Sequence, residues 1–160
     1  MISGSVAETA PNTFTEAEID LQLNILDNEV FVVTAIDLNM SLPDADAGNN
    51  ETIVRASLST TSRSSVGTIA DSNVFAAGRN VCVSDNAAGT PFGVYSDSST
   101  ESPHAALEYI AIIATNNFQA QILGTDNTRL KAADFRIWGY RARADSSTYA
   151  ALVQSELLSS

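Results

Sequence analysis

The chain has 160 residues, the length of one ordinary domain, and its 19 acidic against 8 basic residues give it a net charge of -11. A core of that size buries about 70% of the surface that the unfolded chain exposes, so no metal or disulfide staple is needed for folding. The acidic balance lacks the basic stripe with which proteins displace counterions from phosphates, which excludes direct nucleic-acid binding and attraction to anionic membranes.

Residues 1–15 carry Pro11, several Ser and Thr and only scattered apolar side chains, and read as a flexible N-terminal arm. They contain Glu8 and no Lys or Arg, and have neither the basic nor the apolar region of a secretory leader. From Glu18 the pattern changes. Ile19, Leu21, Leu23 and Ile25 alternate with polar residues, the period-2 signature of a strand with one wet face. Asp27 and Asn28 make a turn, because both side chains bond their own backbone and Asn tolerates positive φ. The run Val30 to Leu38 is apolar on both faces for most of its length, which predicts a central strand, paired with the preceding one as a hairpin.

The stretch from Pro43 to Asn50 is a loop by composition, and it holds the best candidate for a cation site. Asp44, Asp46 and Glu51 place carboxylates at close spacing around Gly48, and oxygen ligands on a tight loop can converge on Ca²⁺. The spacing departs from the EF-hand pattern, and an ordinary Asp/Asn/Gly loop is the competing reading. A strand follows over Thr52 to Thr60, with Val54, Ala56 and Leu58 on the dry face. Short strands are expected at Asn73 to Ala76, Asn80 to Ser84 and Phe92 to Ser96. The lone Cys82, flanked by valines, reads as a small buried hydrophobe. The single histidine, His104, stands beside Pro103 with no nucleophile motif around it, so no catalytic set is legible and a non-enzymatic role is expected.

Leu107 to Thr115 reads as a buried strand, followed by an alternating strand through Phe118, Ala120 and Ile122. No apolar run reaches the ~18 residues of a membrane span, so no membrane insertion is expected. The strand Asp134 to Arg143 alternates over ten residues. It puts Phe135 and Ile137 on one face and Arg136, Trp138 and Tyr140 on the other, with Arg141 and Arg143 of the opposite parity. Arginine at such a place suits subunit contacts, so Arg136, Trp138, Tyr140, Arg141 and Arg143 form a candidate subunit interface. Asp145 is a candidate N-cap for a short C-terminal helix carrying Tyr149, Leu152 and Val153.

The whole is read as an all-β protein: an antiparallel β-sandwich of about eight strands, jelly-roll-like, with an arm over 1–15, a sandwich over 16–144 and a helix or tail over 145–160. The block Tyr109 to Phe118, then Gln121 to Thr125, then Phe135 to Asp145, resembles the C-terminal part of small β-sandwich virion proteins of prokaryotic viruses. The resemblance implies a self-assembling shell subunit, either a capsid protein or a decorating one; the lack of a basic arm favours the virion exterior, and the lack of a leader pattern leads us to expect synthesis in the host cytoplasm. Its partners would be copies of itself, trimers among them, and other shell proteins, with no cofactor needed. The arginine-rich, almost lysine-free acidic surface fits a saline setting. A carbohydrate-binding or adhesion module, with Trp138, Tyr140, Tyr109 and Tyr95 as stacking aromatics, is the alternative from a different class.

Overall fold

The computed structural model describes residues 1–45, 51–85, 90–98 and 108–158. Within them lie nine strands, β1 (Ile2–Ala7), β2 (Thr15–Asp20), β3 (Glu29–Met40), β4 (Glu51–Ser59), β5 (Val74–Asp85), β6 (Thr90–Ser98), β7 (Ala111–Ile113), β8 (Asn117–Thr125) and β9 (Ala132–Arg143), and one helix, α1 (Ser146–Leu158). They form two antiparallel sheets packed face to face. The front sheet has the order β1-β9-β3-β7 and the back sheet β2-β8-β4-β5-β6.

With β6 set aside as an added edge, the strands pair in mirror order: β1 with β9, β2 with β8, β3 with β7 and β4 with β5. That is one long antiparallel ribbon, rolled so that β9 also meets β3 and β8 also meets β4. This strand order is a jelly roll, and the fold class expected from the sequence is the one observed.

The core lies between the sheets. Phe31, Val33, Ile36 and Leu38 of β3 and Phe135 and Ile137 of β9 face Val54, Ala56 and Leu58 of β4 and Phe118, Ala120 and Ile122 of β8. The inward residues of β3 are odd-numbered before Thr34 and even-numbered after it. A β-bulge between Val33 and Ala35 makes the switch. Before the bulge the outward residues Val30 and Val32 are buried as well, because Tyr149, Leu152 and Val153 of α1 pack over them. The two-sided apolar run thus reports a strand covered by a sheet on one face and a helix on the other.

Asp145 caps α1, accepting from the Thr148 N–H at 2.7 Å and the Ser147 hydroxyl at 2.8 Å. The Thr148 N–H and these hydroxyls hold its carboxyl below the usual range. Near the other end, Glu156 is buried and accepts from the backbone N–H groups of Ala114 (2.8 Å) and Thr115 (3.1 Å). Burial pushes its carboxyl up in spite of those bonds. No described helix is long and apolar enough to cross a membrane.

Several local expectations are corrected. Residues 1–15 are not a free arm, since Ile2–Ala7 pair with β9 along their whole length. Their inward positions are Ile2, Gly4 and Val6, and a side chain at Gly4 would meet the Phe135 ring at 2.6 Å. The glycine the packing requires is the residue that erases the strand pattern. The Asp27–Asn28 turn exists, with Asn28 at φ 52°, but it carries the chain from one sheet to the other. The expected β2–β3 hairpin therefore does not form. Leu21 and Leu23 stay buried outside any strand, because Gln22 at φ 53° breaks the ladder. The two short strands expected either side of Ala77-Gly78 are one strand, β5. Within the expected strand Leu107 to Thr115, ladder pairing covers only Ala111–Ile113, and Leu107 itself lies outside the described residues.

Candidate functional site

The jelly roll presents two chemically different places: an end of the sandwich closed by buried polar groups, and an open outer face of the front sheet.

At the closed end, three connections meet: β1 to β2, β3 to β4 and β8 to β9. Glu8 is buried. Its Oε1 accepts from the N–H of Gly124 (2.7 Å) and Thr13 (3.2 Å), and its Oε2 from the N–H of Lys131 (2.9 Å). Asn127 donates to the Ile53 and Thr125 carbonyls and accepts from the Asp44 N–H, while Asn12 bonds its backbone from both sides. The ammonium of Lys131, the only lysine of the chain, reaches Asp44 Oδ1 at 2.7 Å and the Leu42 carbonyl at 3.1 Å.

These contacts also set the surroundings of the candidate cation site. Asp44 Oδ2 accepts from the N–H groups of Thr128 and Arg129, both at 2.9 Å, and from the Thr128 hydroxyl at 3.1 Å. Its carboxylate is thus committed to its own chain, and the cation beside it is Lys131. Asp46 lies outside the described residues. Glu51 is exposed at the start of β4, and no group of three or more His, Cys, Asp or Glu converges among the described residues.

Burial opposes ionisation of Asp44, but the bonds from Lys131, Arg129 and Thr128 outweigh it and lower its pKa from 3.8 to about 2. A depressed folded-state pKa means stability that is fully present above the unfolded value and lost as pH falls through the folded one. Asp44→Asn is accordingly expected to cost about 2 kcal/mol at neutral pH. In urea titrations its deficit against wild type should shrink between pH 3.8 and about 2. A deficit independent of pH across that window would contradict the charged role of Asp44.

On the outer face of the front sheet, Asp134, Arg136, Trp138 and Tyr140 of β9 stand exposed in a row. Asp37 and Asn39 of β3 and Ser3 and Ser5 of β1 flank them through the ladder register. The Arg136 guanidinium lies 5.7 Å from the Trp138 ring centroid, a cation–π contact within the row. Ser3, Ser5, Asp37, Asn39, Asp134 and Arg136 line a shallow open groove, while α1 covers the β3–β7 side of the same sheet.

The expected interface residues thus divide. Arg136, Trp138 and Tyr140 share the open face. Arg141 donates to the Leu21 carbonyl at 3.1 Å, and Arg143 pairs with Asp27 at 3.0 Å, so both are engaged within the chain. The parity of the strand signalled this split, but the sequence offered no sign of Leu21 and Asp27 as partners, because they are more than a hundred residues away. Tyr109 is exposed before β7, and His104 and the Tyr95 side chain lie outside the described set. Cys82 is buried and free.

Compared with known proteins, the chain matches no family model, no curated protein and no solved structure.

Proposed function

We propose that this chain is a structural subunit of a viral shell, either a capsid protein or an outer decorating protein, with no catalytic activity of its own. The strand order carries the reading. A rolled ribbon of this order is used by viral capsid proteins, lectins and cupins. A cupin-like metal enzyme would need several imidazoles, and the chain has one histidine. The block that resembles virion proteins falls on β7, β8, β9 and the capping residue before α1, the last third of the roll. Residues 1–15 hold Glu8 and no Lys or Arg, and Ile2–Ala7 among them are paired into the front sheet, so they offer no basic arm to a naked genome. That favours an outer position in salty water. The open Arg136–Trp138–Tyr140 row supplies a surface for neighbouring subunits.

One observation favours the second reading. Trp138 and Tyr140 are adjacent on an exposed face, 37% and 56% accessible, as stacking aromatics of a sugar site would be. Light scattering combined with a glycan array separates the two. The shell reading expects self-association, retention of no glycan, and flanking genes for a portal, terminase or packaging ATPase. A monodisperse monomer that binds a glycan, and loses it in Trp138→Ala, would replace the shell reading by the lectin-like one.

A further inference from the structure

We propose that the free edge of β1 pairs with β1 of a second copy across a two-fold axis through Ser5, joining two front sheets into one continuous sheet. This goes beyond the shell reading: it shares with that reading only the expectation of self-association, and it names the surface and register of one contact.

A sheet edge exposes a row of unpaired N–H and C=O groups, and proteins blunt such edges with charge, proline, bulges or shortness. Among the described residues the two sheets have four edges, and three of them are treated in this way. The edge strand β2 carries Glu16, Glu18 and Asp20. The edge strand β6 contains Pro91 and Asp97, and a register shift interrupts its ladder with β5. The edge strand β7 is three residues long. The remaining edge, β1, reads Ile-Ser-Gly-Ser-Val-Ala, with no charge, no proline and an unbroken register against β9.

The register also says which groups are free. The Glu8 N–H bonds the Lys131 carbonyl, so in the alternating antiparallel pattern the even residues of β1 bond β9. Ser3, Ser5 and Ala7 therefore point their N–H and C=O groups outward, and all three residues are exposed. About a two-fold axis at Ser5, Ser5 faces its own copy and Ser3 faces Ala7 in both directions. These are three hydrogen-bonded pairs of two bonds each. The contact is isologous and self-complementary. On a chain of net charge -11, an uncharged edge is also where a second copy meets least repulsion. Beside it, Asp134 and Arg136 of β9 carry opposite signs.

The test is sedimentation equilibrium of the full chain at micromolar concentration. Wild type should run as twice the 16.9 kDa chain mass. Ser5→Pro removes the outward N–H, leaves the β1–β9 ladder bonds in place and should run as monomer. Ser5→Asp and Ser5→Lys, each putting like charges opposite one another at the axis, should each weaken the dimer about fivefold, and mixing the two should restore it. Far-UV circular dichroism checks that each variant is folded. A monomeric wild type, a folded Ser5→Pro that still dimerises, or a charge-swapped mixture no tighter than its components would each overturn the pairing. A monomeric wild type would also remove the self-association that the shell reading expects, whereas a folded Ser5→Pro that still dimerises, or an unrestored charge-swapped mixture, overturns the pairing alone.

Discussion

Phe118→Ala is expected to lower folding stability by about 4 kcal/mol, the upper range for deleting a fully enclosed aromatic ring. Phe118 is completely buried on β8 and meets two other rings edge to face: Phe75 of β5 at 5.8 Å and Phe135 of β9 at 5.7 Å. Those rings belong to opposite sheets. Truncation thus removes the apolar contact that joins the layers and leaves a cavity which backbones fixed by ladders on both sides cannot close. Two edge-to-face geometries are lost with it, each worth about 1 kcal/mol beyond area burial. Urea unfolding should show a lower midpoint at unchanged slope, and the melting temperature should fall by about 10 °C or more. A loss below about 1 kcal/mol would mean that the sheets are held together elsewhere.

Glu8→Ala is expected to cost about 3–5 kcal/mol for a different reason. It leaves the buried N–H groups of Gly124 and Lys131 without an acceptor, each costing about 1–3 kcal/mol, and releases the Thr13 N–H as well. Glu8→Gln keeps one acceptor oxygen but aims an amide donor at an N–H, so it should fall between wild type and Ala. Hydrogen exchange localises the effect. Gly124 and Lys131 amides should lose protection in Glu8→Ala while central amides of β3 and β8 keep theirs relative to the global stability. If the loss is spread evenly through the sheets, or is smaller than about 1 kcal/mol, Glu8 does not fasten this end of the sandwich.

The two sites differ in how they show in the sequence. Phe118 stands in an alternating run with Ala120 and Ile122, and period-2 hydrophobicity marks such a residue as core without any knowledge of its neighbours. Glu8 is invisible in that way. An acid among Ser, Thr and Pro reads as wet surface, and only the arrival of Gly124 and Lys131 from the other end of the chain turns it into a buried acceptor. Asp44 is ambiguous in the sequence for the same reason: a carboxylate in an Asp/Asn/Gly loop suits Ca²⁺ and Lys131 equally, and only the fold brings the lysine to it. The parity of β9 was legible and placed Arg136, Trp138 and Tyr140 on one face. Whether that face would be open or covered was not, because α1 covers one side of the sheet and leaves the other bare.

The sequence by itself determined the class of this protein: many short alternating segments, turn residues between them and one capped helix at the end leave room only for an all-β sandwich, since strand periodicity is a local property. Tertiary structure decided the rest. It took β1 out of the expected arm, sent β2 and β3 to opposite sheets, and gave Glu8, Asp44 and Lys131 their partners. Each of those outcomes depends on pairings between residues far apart in the chain, and such pairings are set by closure of the rolled ribbon as a whole, not by any window of neighbouring residues.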